Sequence, residues 1–222
     1  VDGVLLVPAA SSAEPVAFLR DQKVPVVVLD RRVPDLSVDS VRCNSEAGAC
    51  ELMRLLIRLG HRRIAVLAGP ESVSTAQERV AGCRLALAEA GLSLDTELIF
   101  HDAYSYAGGQ RMAQRMLALQ PRPTAVFAAN NFIAMGAYGM LTDAGMRVPQ
   151  DVAMVTFDDW PPRMVVDPFF TMVSQPAYEM GYKATERLLA RLSGEITDGC
   201  QEMVLPFDLL VRRSSGLSGP EA

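Results

Sequence analysis

The sequence predicts an α/β fold built on a mainly parallel sheet. Short apolar runs dense in Val, Ile and Ala recur without polar alternation, which is how strands buried on both faces read. Between them lie longer stretches with apolar residues at helical spacing. Strand and helix alternate at least six times along 222 residues. That is the order laid down by right-handed crossovers in a parallel sheet.

The elements follow in order. Val4 to Val7 is a strand entered after Gly3 and ended by Pro8, and Ala13 to Asp21 is a short helix. Val24 to Leu29 is a Val-rich strand closed by Asp30. Glu46 to Leu59 places Ala49, Leu52, Met53, Leu56 and Leu59 on one helical face, with Gly60 as its stop. Arg63 to Ala68 is a strand, and Thr75 to Ala90 a helix stopped by Gly91. Leu98 to Phe100 is a strand and Ala107 to Leu119 a helix, with Met112, Ala113 and Met116 in phase. Thr124 to Ala129 is a strand. Phe132 to Ala144 is a helix stopped by Gly145, and its Gly136-x-x-Gly139 suits close packing. Val152 to Phe157 and Phe169 to Ser174 are strands, and Tyr178 to Leu192 is a helix. Val204 to Val211, interrupted by Pro206, is the last strand.

Half the residues are hydrophobic, enough to offset chain entropy and exclude a disordered tail. The net charge of -5 argues against this segment itself gripping a phosphate backbone. Four cysteines without a Cys-x-x-Cys pair fit a reduced cytosol, and Cys50 and Cys83 fall on apolar helix faces as buried thiols. No run of 18 apolar residues exists, so no membrane span is expected, and the N-terminus shows no signal peptide.

In a parallel α/β sheet, ligands sit beyond the carboxyl ends of the strands. Polar groups gather there. Asp30-Arg31-Arg32 follows the second strand, and Gly69-Pro70-Glu71 the third, with Arg79 one turn into the next helix. His101-Asp102 and Tyr104 follow the fourth, Asn130-Asn131 the fifth, and Asp158-Asp159-Trp160 the sixth. Polar groups after each of five strands suggest a site.

Catalytic signatures are missing. There is no dinucleotide Gly-x-Gly-x-x-Gly after a strand, no Walker loop and no Gly-x-Ser-x-Gly elbow. The two histidines, His61 and His101, cannot form a helical metal pair, and His61 reads as a structural hydrogen-bonder. Asp158 and Asp159, adjacent in extended chain, point to opposite sides and so do not flank one bond. No enzyme activity, cofactor or metal is expected.

Several motifs resemble one family. They are Gly60-His61-Arg62-Arg63-Ile64, Arg79-Val80-Ala81-Gly82, Pro123-Thr124-Ala125 leading to Asn130-Asn131, Val148-Pro149-Gln150-Asp151-Val152 leading to Phe157-Asp158-Asp159, and Thr171 to Pro176 leading to Met180-Gly181. In order and spacing they resemble the lactose-repressor/galactose-repressor (LacI/GalR) family of bacterial transcription regulators, from Val1 to about Gly216. The resemblance implies a periplasmic-binding-protein-like (type I) fold, with two Rossmann-like lobes joined by three crossover strands. It places residues 1–43 plus 176–203 in a partial N-terminal lobe and 44–175 plus 204–222 in the C-terminal lobe. It also implies that a helix-turn-helix DNA-binding domain is absent from this chain.

The same resemblance marks Asp30, Thr75, Arg79, Tyr104, Phe127, Asn130 and Asp158 as ligand-binding positions in an inter-lobe cleft, and Trp160, beside Asp158 at the cleft edge, is a candidate to stack on the ligand. The residue chemistry suits a sugar-like effector. Carboxylates accept hydroxyl hydrogens, Asn donates and accepts, Arg donates as a planar fork, and an aromatic face covers the apolar side of a ring. Asp158 has a second reading as a turn cap, Arg79 as a partner of Glu78 or a neighbouring carboxylate, and Tyr104 and Trp160 as packing. Cys43, Asn131 and Thr156 stand where the family often has Asp, Asp and Gly, which leaves a nucleoside, a small acid or no ligand at all open. The implied function is a cytoplasmic, homodimeric regulator that binds operator DNA. Tyr138, Leu141, Met164 and Val165 form its expected dimer surface, with ordinary core as the other reading. The alternative on the same fold is a periplasmic sugar-binding protein for transport or chemotaxis, against which the scattered cysteines argue.

Overall fold

The computed structural model describes residues 1–34, 37–160 and 169–217. The chain divides into two compact units. One comprises Val1–Asn44, Ser72–Thr75 and Gln175–Phe207, and the other Ser45–Glu71, Ala76–Ser174 and Asp208–Ala222.

The first unit holds β1 (Val4–Leu6), α1 (Glu14–Asp21), β2 (Val26–Leu29), β3 (Asp39–Cys43), α6 (Ala177–Leu192) and β9 (Glu202–Leu205). Its four-stranded sheet runs β1-β2-β3-β9, and every neighbouring pair is parallel. Val27, Val41 and Cys43 form one buried cluster with Met180 and Ala184 of α6, closed by Leu29, Leu188, Met203 and Leu205. β3 is an element that hydrophobic periodicity did not reveal. Its residues read Asp-Ser-Val-Arg-Cys, yet all but Ser40 are buried. The charges are matched within the unit. Arg42 Nε meets Glu202 at 2.6 Å, and Asp39 accepts from Arg187 and Arg191 Nε at 2.9 and 2.8 Å and from the Gln201 amide at 2.8 Å. Partners distant in sequence thus make a polar strand a core strand.

The second unit carries a six-stranded sheet in the order β10-β8-β7-β6-β4-β5. Its strands are β4 (Ile64–Ala68), β5 (Ile99–His101), β6 (Ala125–Ala128), β7 (Ala153–Phe157), β8 (Thr171–Ser174) and β10 (Asp208–Leu210). All neighbours are parallel except β10, which runs antiparallel to β8. β4, β6 and β7 are buried at every residue, the expected state of the apolar runs Ile-Ala-Val-Leu-Ala, Ala-Val-Phe-Ala and Ala-Met-Val-Thr-Phe. Thr156 is tolerated there because its hydroxyl donates to the Phe157 carbonyl at 3.1 Å. The single expected strand from Val204 to Val211 is therefore two. Around Pro206 and Phe207 the chain leaves one sheet and enters the other, so β9 and β10 have different partners.

The helices of this unit are α2 (Ser45–Arg58), α3 (Ser74–Glu89, whose first two residues group with the first unit), α4 (Tyr106–Leu117) and α5 (Asn131–Asp143). α4 starts where the Ser105 hydroxyl accepts from the Gly108 amide, and α5 where Asn130 Oδ1 accepts from the Ile133 amide at 2.9 Å. Gly60, Gly91 and Gly145 carry positive φ after helices, as their reading as stops requires. α4 and α5 approach through glycine. A Cβ on Gly109 would lie 2.2 Å from the Ile133 carbonyl, and one on Gly136 would lie 1.9 Å from the Tyr106 carbonyl. The expected close packing at Gly136 is thus present.

One expected interface residue, Leu141, is corrected by this packing. Leu141 is wholly buried, on the helix face it shares with Ala134 and Ala137. Tyr138 is engaged within the unit, its ring 5.6 Å from Phe169 and 5.7 Å from Phe170. Met164 and Val165 lie outside the described residues.

Candidate functional site

Because β4 to β8 are parallel, their carboxyl ends form one edge of the second unit. The structure brings Arg79, Asn130 and Asp158 together there. Arg79 reaches in from α3 and is 3% exposed. Its Nη1 donates to the Ala129 carbonyl at 2.5 Å, and its guanidinium lies 3.8 Å above the Phe157 ring centre. The Asp158 carboxylate stands 3.7 Å from the same Nη1. Phe157 thus supports the guanidinium from below by a cation–π contact, a role its place in an apolar strand does not announce.

Asp158 has φ +69°, a left-handed backbone that non-glycine residues seldom adopt. Its amide donates to the Val173 carbonyl at 3.0 Å, so the strand ladder holds the strained residue in place. The chain at Asp158 and Asp159 is not extended, contrary to expectation. The two carboxylates nonetheless diverge, Asp158 toward Arg79 and Asp159 toward Arg212. The side chain of Asp158 keeps 27% of its surface while Arg79 keeps 3%, so the acid is the member of the pair open to solvent.

Other expected residues take different places. The Tyr104 ring lies against Gly69 after β4, where an added Cβ would come within 2.2 Å of it. Glycine is required there for the ring to lie across the strand end. Asn130 spends its carbonyl oxygen on capping α5, which leaves its amide group as the donor it could offer a ligand. Trp160 is half-buried, with its indole stacked on Phe170 at 5.2 Å and 26°. Phe127 is corrected. It is fully buried in the middle of β6, so its ring is core and covers nothing at the edge.

Neighbouring groups are used internally. His101 Nδ1 lies 2.8 Å from the Gly69 carbonyl. The Arg111 guanidinium grips Asp102 and holds its carboxyl below the usual range. His61 bonds Thr124 Oγ1 at 2.9 Å through Nδ1, the structural role expected of it, and burial pushes its pKa down. Cys50 and Cys83 are buried, and burial pushes both thiols up and away from reactivity.

The first unit repeats part of the device. Asp30 follows β2 with φ +69°, and its amide donates to the Val41 carbonyl at 3.0 Å. Arg31 stands 3.7 Å from the Asp30 carboxylate and donates to the Pro8 carbonyl, beyond β1, at 2.6 Å. Thr75 groups with this unit and is buried. Among the described residues, no group of three His, Cys, Asp or Glu could hold a metal, and no helix is long and apolar enough to cross a membrane.

Parallel α/β units that exchange the chain and carry polar groups beyond their strands are the build of a periplasmic binding protein-like domain, and residues 53–215 match the family of that description. Over 216 residues the chain is 35% identical to the HTH-type transcriptional regulator CelR of Thermobifida fusca, covering 96% of this chain and 63% of that protein. A solved CelR–cellobiose complex superposes with a TM-score of 0.88 at 35% identity, covering 96% of this chain and 66% of that one. A LacI-family regulatory protein from Chloroflexus aggregans superposes with a TM-score of 0.85 at 32% identity, covering 97% and 77%. The chain belongs to the LacI family of transcriptional regulators. It spans less than two thirds of the length of CelR.

Proposed function

We infer that this chain is the effector-binding core of a LacI-type regulator, and that its effector is an uncharged sugar or sugar derivative. The observation that carries this reading is the Arg79–Asp158 pair, with the buried cation supported by Phe157 and the carboxylate left open. A guanidinium already matched by a carboxylate presents donors and acceptors without net charge, which suits hydroxyl groups better than a phosphate. Asp30, beyond β2 of the first unit, has the same positive φ as Asp158. CelR, whose complex contains cellobiose, supports the sugar assignment.

Ligand that binds only the folded state raises its stability by mass action, about 2.7 kcal/mol at a hundred times Kd. In a thermal-shift series, cellobiose or another neutral sugar is expected to raise the unfolding midpoint, while sugar phosphates leave it in place. A shift confined to sugar phosphates or nucleosides would overturn the neutral-sugar assignment.

By this reading, effector binding shifts a population of conformations and thereby alters operator recognition by a helix-turn-helix domain, in the cytoplasm and as a homodimer. The surface that suits self-association is the outer side of α4 and α5. Tyr106, Phe132 and Met135 are 46%, 58% and 41% exposed there. These side chains are exposed where Leu141 is buried. Phe132→Asp is expected to convert a dimer to a monomer in sedimentation at micromolar concentration. A parent chain that is itself monomeric would exclude this surface as sufficient for dimerisation.

A further inference from the structure

Asp159 is joined to its neighbour Trp160 and to two distant stretches of the second unit. The Trp160 amide donates to its Oδ1 at 2.8 Å. Arg212, beyond β10, reaches its two carboxylate oxygens at 3.5 and 3.3 Å. The Asn131 side-chain amide, at the start of α5, donates to its main-chain carbonyl at 3.1 Å. Arg212 also donates to the Phe170 carbonyl at 3.4 Å, and the Phe170 ring carries the Trp160 indole at 5.2 Å. The contacts close on themselves, from Asp159 to Trp160, to Phe170, to Arg212 and back. The ring begins at the residue after Asp158, whose left-handed backbone persists only where its surroundings over-determine it.

We propose that Asp159 and Arg212 are the positioning pair of the ligand edge, fixing Trp160 as its aromatic wall and Asp158 as its open carboxylate. Neither of the pair needs to touch the effector. Arg212 supplies a planar fork that spans both oxygens of Asp159, which a lysine cannot do. Asn131 supplies a donor to the Asp159 carbonyl. An Asp at position 131 would set an acceptor against an acceptor and loosen the segment. The proposal rests on the reading of this edge as the effector site, but the clamp can be tested without any effector.

Trp160 is the only tryptophan in the chain, so its emission, anisotropy and near-ultraviolet circular dichroism report this ring of contacts directly. Asp159→Asn and Arg212→Gln are expected to shift the emission to the red, lower its anisotropy and erase the tryptophan dichroism, while far-ultraviolet dichroism stays as in the parent. Arg212→Lys should fall between parent and Arg212→Gln. If Arg212→Gln fails to fold, Asn131→Asp tests the same ring and should give a smaller shift of the same sign. Titration with cellobiose should show about tenfold weaker binding in the Asp159 and Arg212 variants. Unchanged tryptophan spectra in folded variants would overturn the clamp. Altered spectra with parental cellobiose affinity would overturn its link to the ligand edge. A parent that binds no neutral sugar would refute the effector reading, and the spectra would still decide the clamp.

Discussion

Arg79→Ala is expected to abolish the sugar-induced thermal shift and to destabilise the second unit by about 2–4 kcal/mol. Both effects have one origin. The guanidinium is 3% exposed and serves three neighbours, the Ala129 carbonyl, the Phe157 ring and the Asp158 carboxylate. Truncation leaves a buried carbonyl without this donor and the aromatic ring without its cation. The Asp158 carboxylate retains 27% exposure and can recover some hydration, so the cost stays below that of a fully buried broken pair. Arg79→Lys should be intermediate, because a point charge cannot serve a carbonyl and a carboxylate in one plane. Chemical denaturation measures the stability, and calorimetry with the sugar found in the thermal-shift series measures the affinity. Parental affinity in a folded Arg79→Ala protein would remove Arg79 from the ligand site.

Asp39→Ala is expected to destabilise the first unit by about 3–5 kcal/mol, the range for stripping one partner from a buried ionic cluster. The Asp39 side chain is 3% exposed, and its partners Arg187 and Arg191 are 13% and 16% exposed, so water replaces little of what is lost. Burial pushes the Asp39 carboxyl up, but the hydrogen bonds from Arg191 and Arg187 outweigh it and bring the group below its ordinary value of 3.8. The unfolded chain therefore takes up the proton first as pH falls. The contribution of Asp39 is fully present above the ordinary value and is lost as pH drops through the lower folded one. In urea melts at pH 7 and near pH 3, the parent should lose stability on acidification and the alanine variant should lose less. Equal acid losses in the two proteins would show that other carboxylates carry the effect.

How much was legible depended on how local the cause was. The apolar runs of β4, β6 and β7 announced themselves, because a strand covered on both faces must be apolar throughout. The helix stops at Gly60, Gly91 and Gly145 were equally readable, since a left-handed residue after a helix favours glycine. β3 was not readable, because Asp39 and Arg42 are acceptable in the interior only through Arg187, Arg191 and Glu202, all more than 140 positions away. Leu141 and Phe127 show the converse limit. An apolar residue on a helix or strand is equally consistent with core and with surface until the neighbouring elements are placed.

The candidate site divides along the same line. From sequence alone came the α/β class, the family resemblance and the positions of Asp30, Arg79, Asn130 and Asp158 at strand ends and in the helix between, because topology puts the polar strand ends of each parallel sheet at one edge of that sheet. Tertiary structure alone decided what each group does there: that Arg79 is held by a carbonyl, an aromatic ring and a carboxylate, that Asp30 and Asp158 share a strained backbone, and that Arg212 and Asn131 meet at Asp159. Strand order and hydrophobic pattern are written in neighbouring residues. A charge's partner, and the backbone angle that aims it, exist only once distant segments have been brought within a few ångströms of one another.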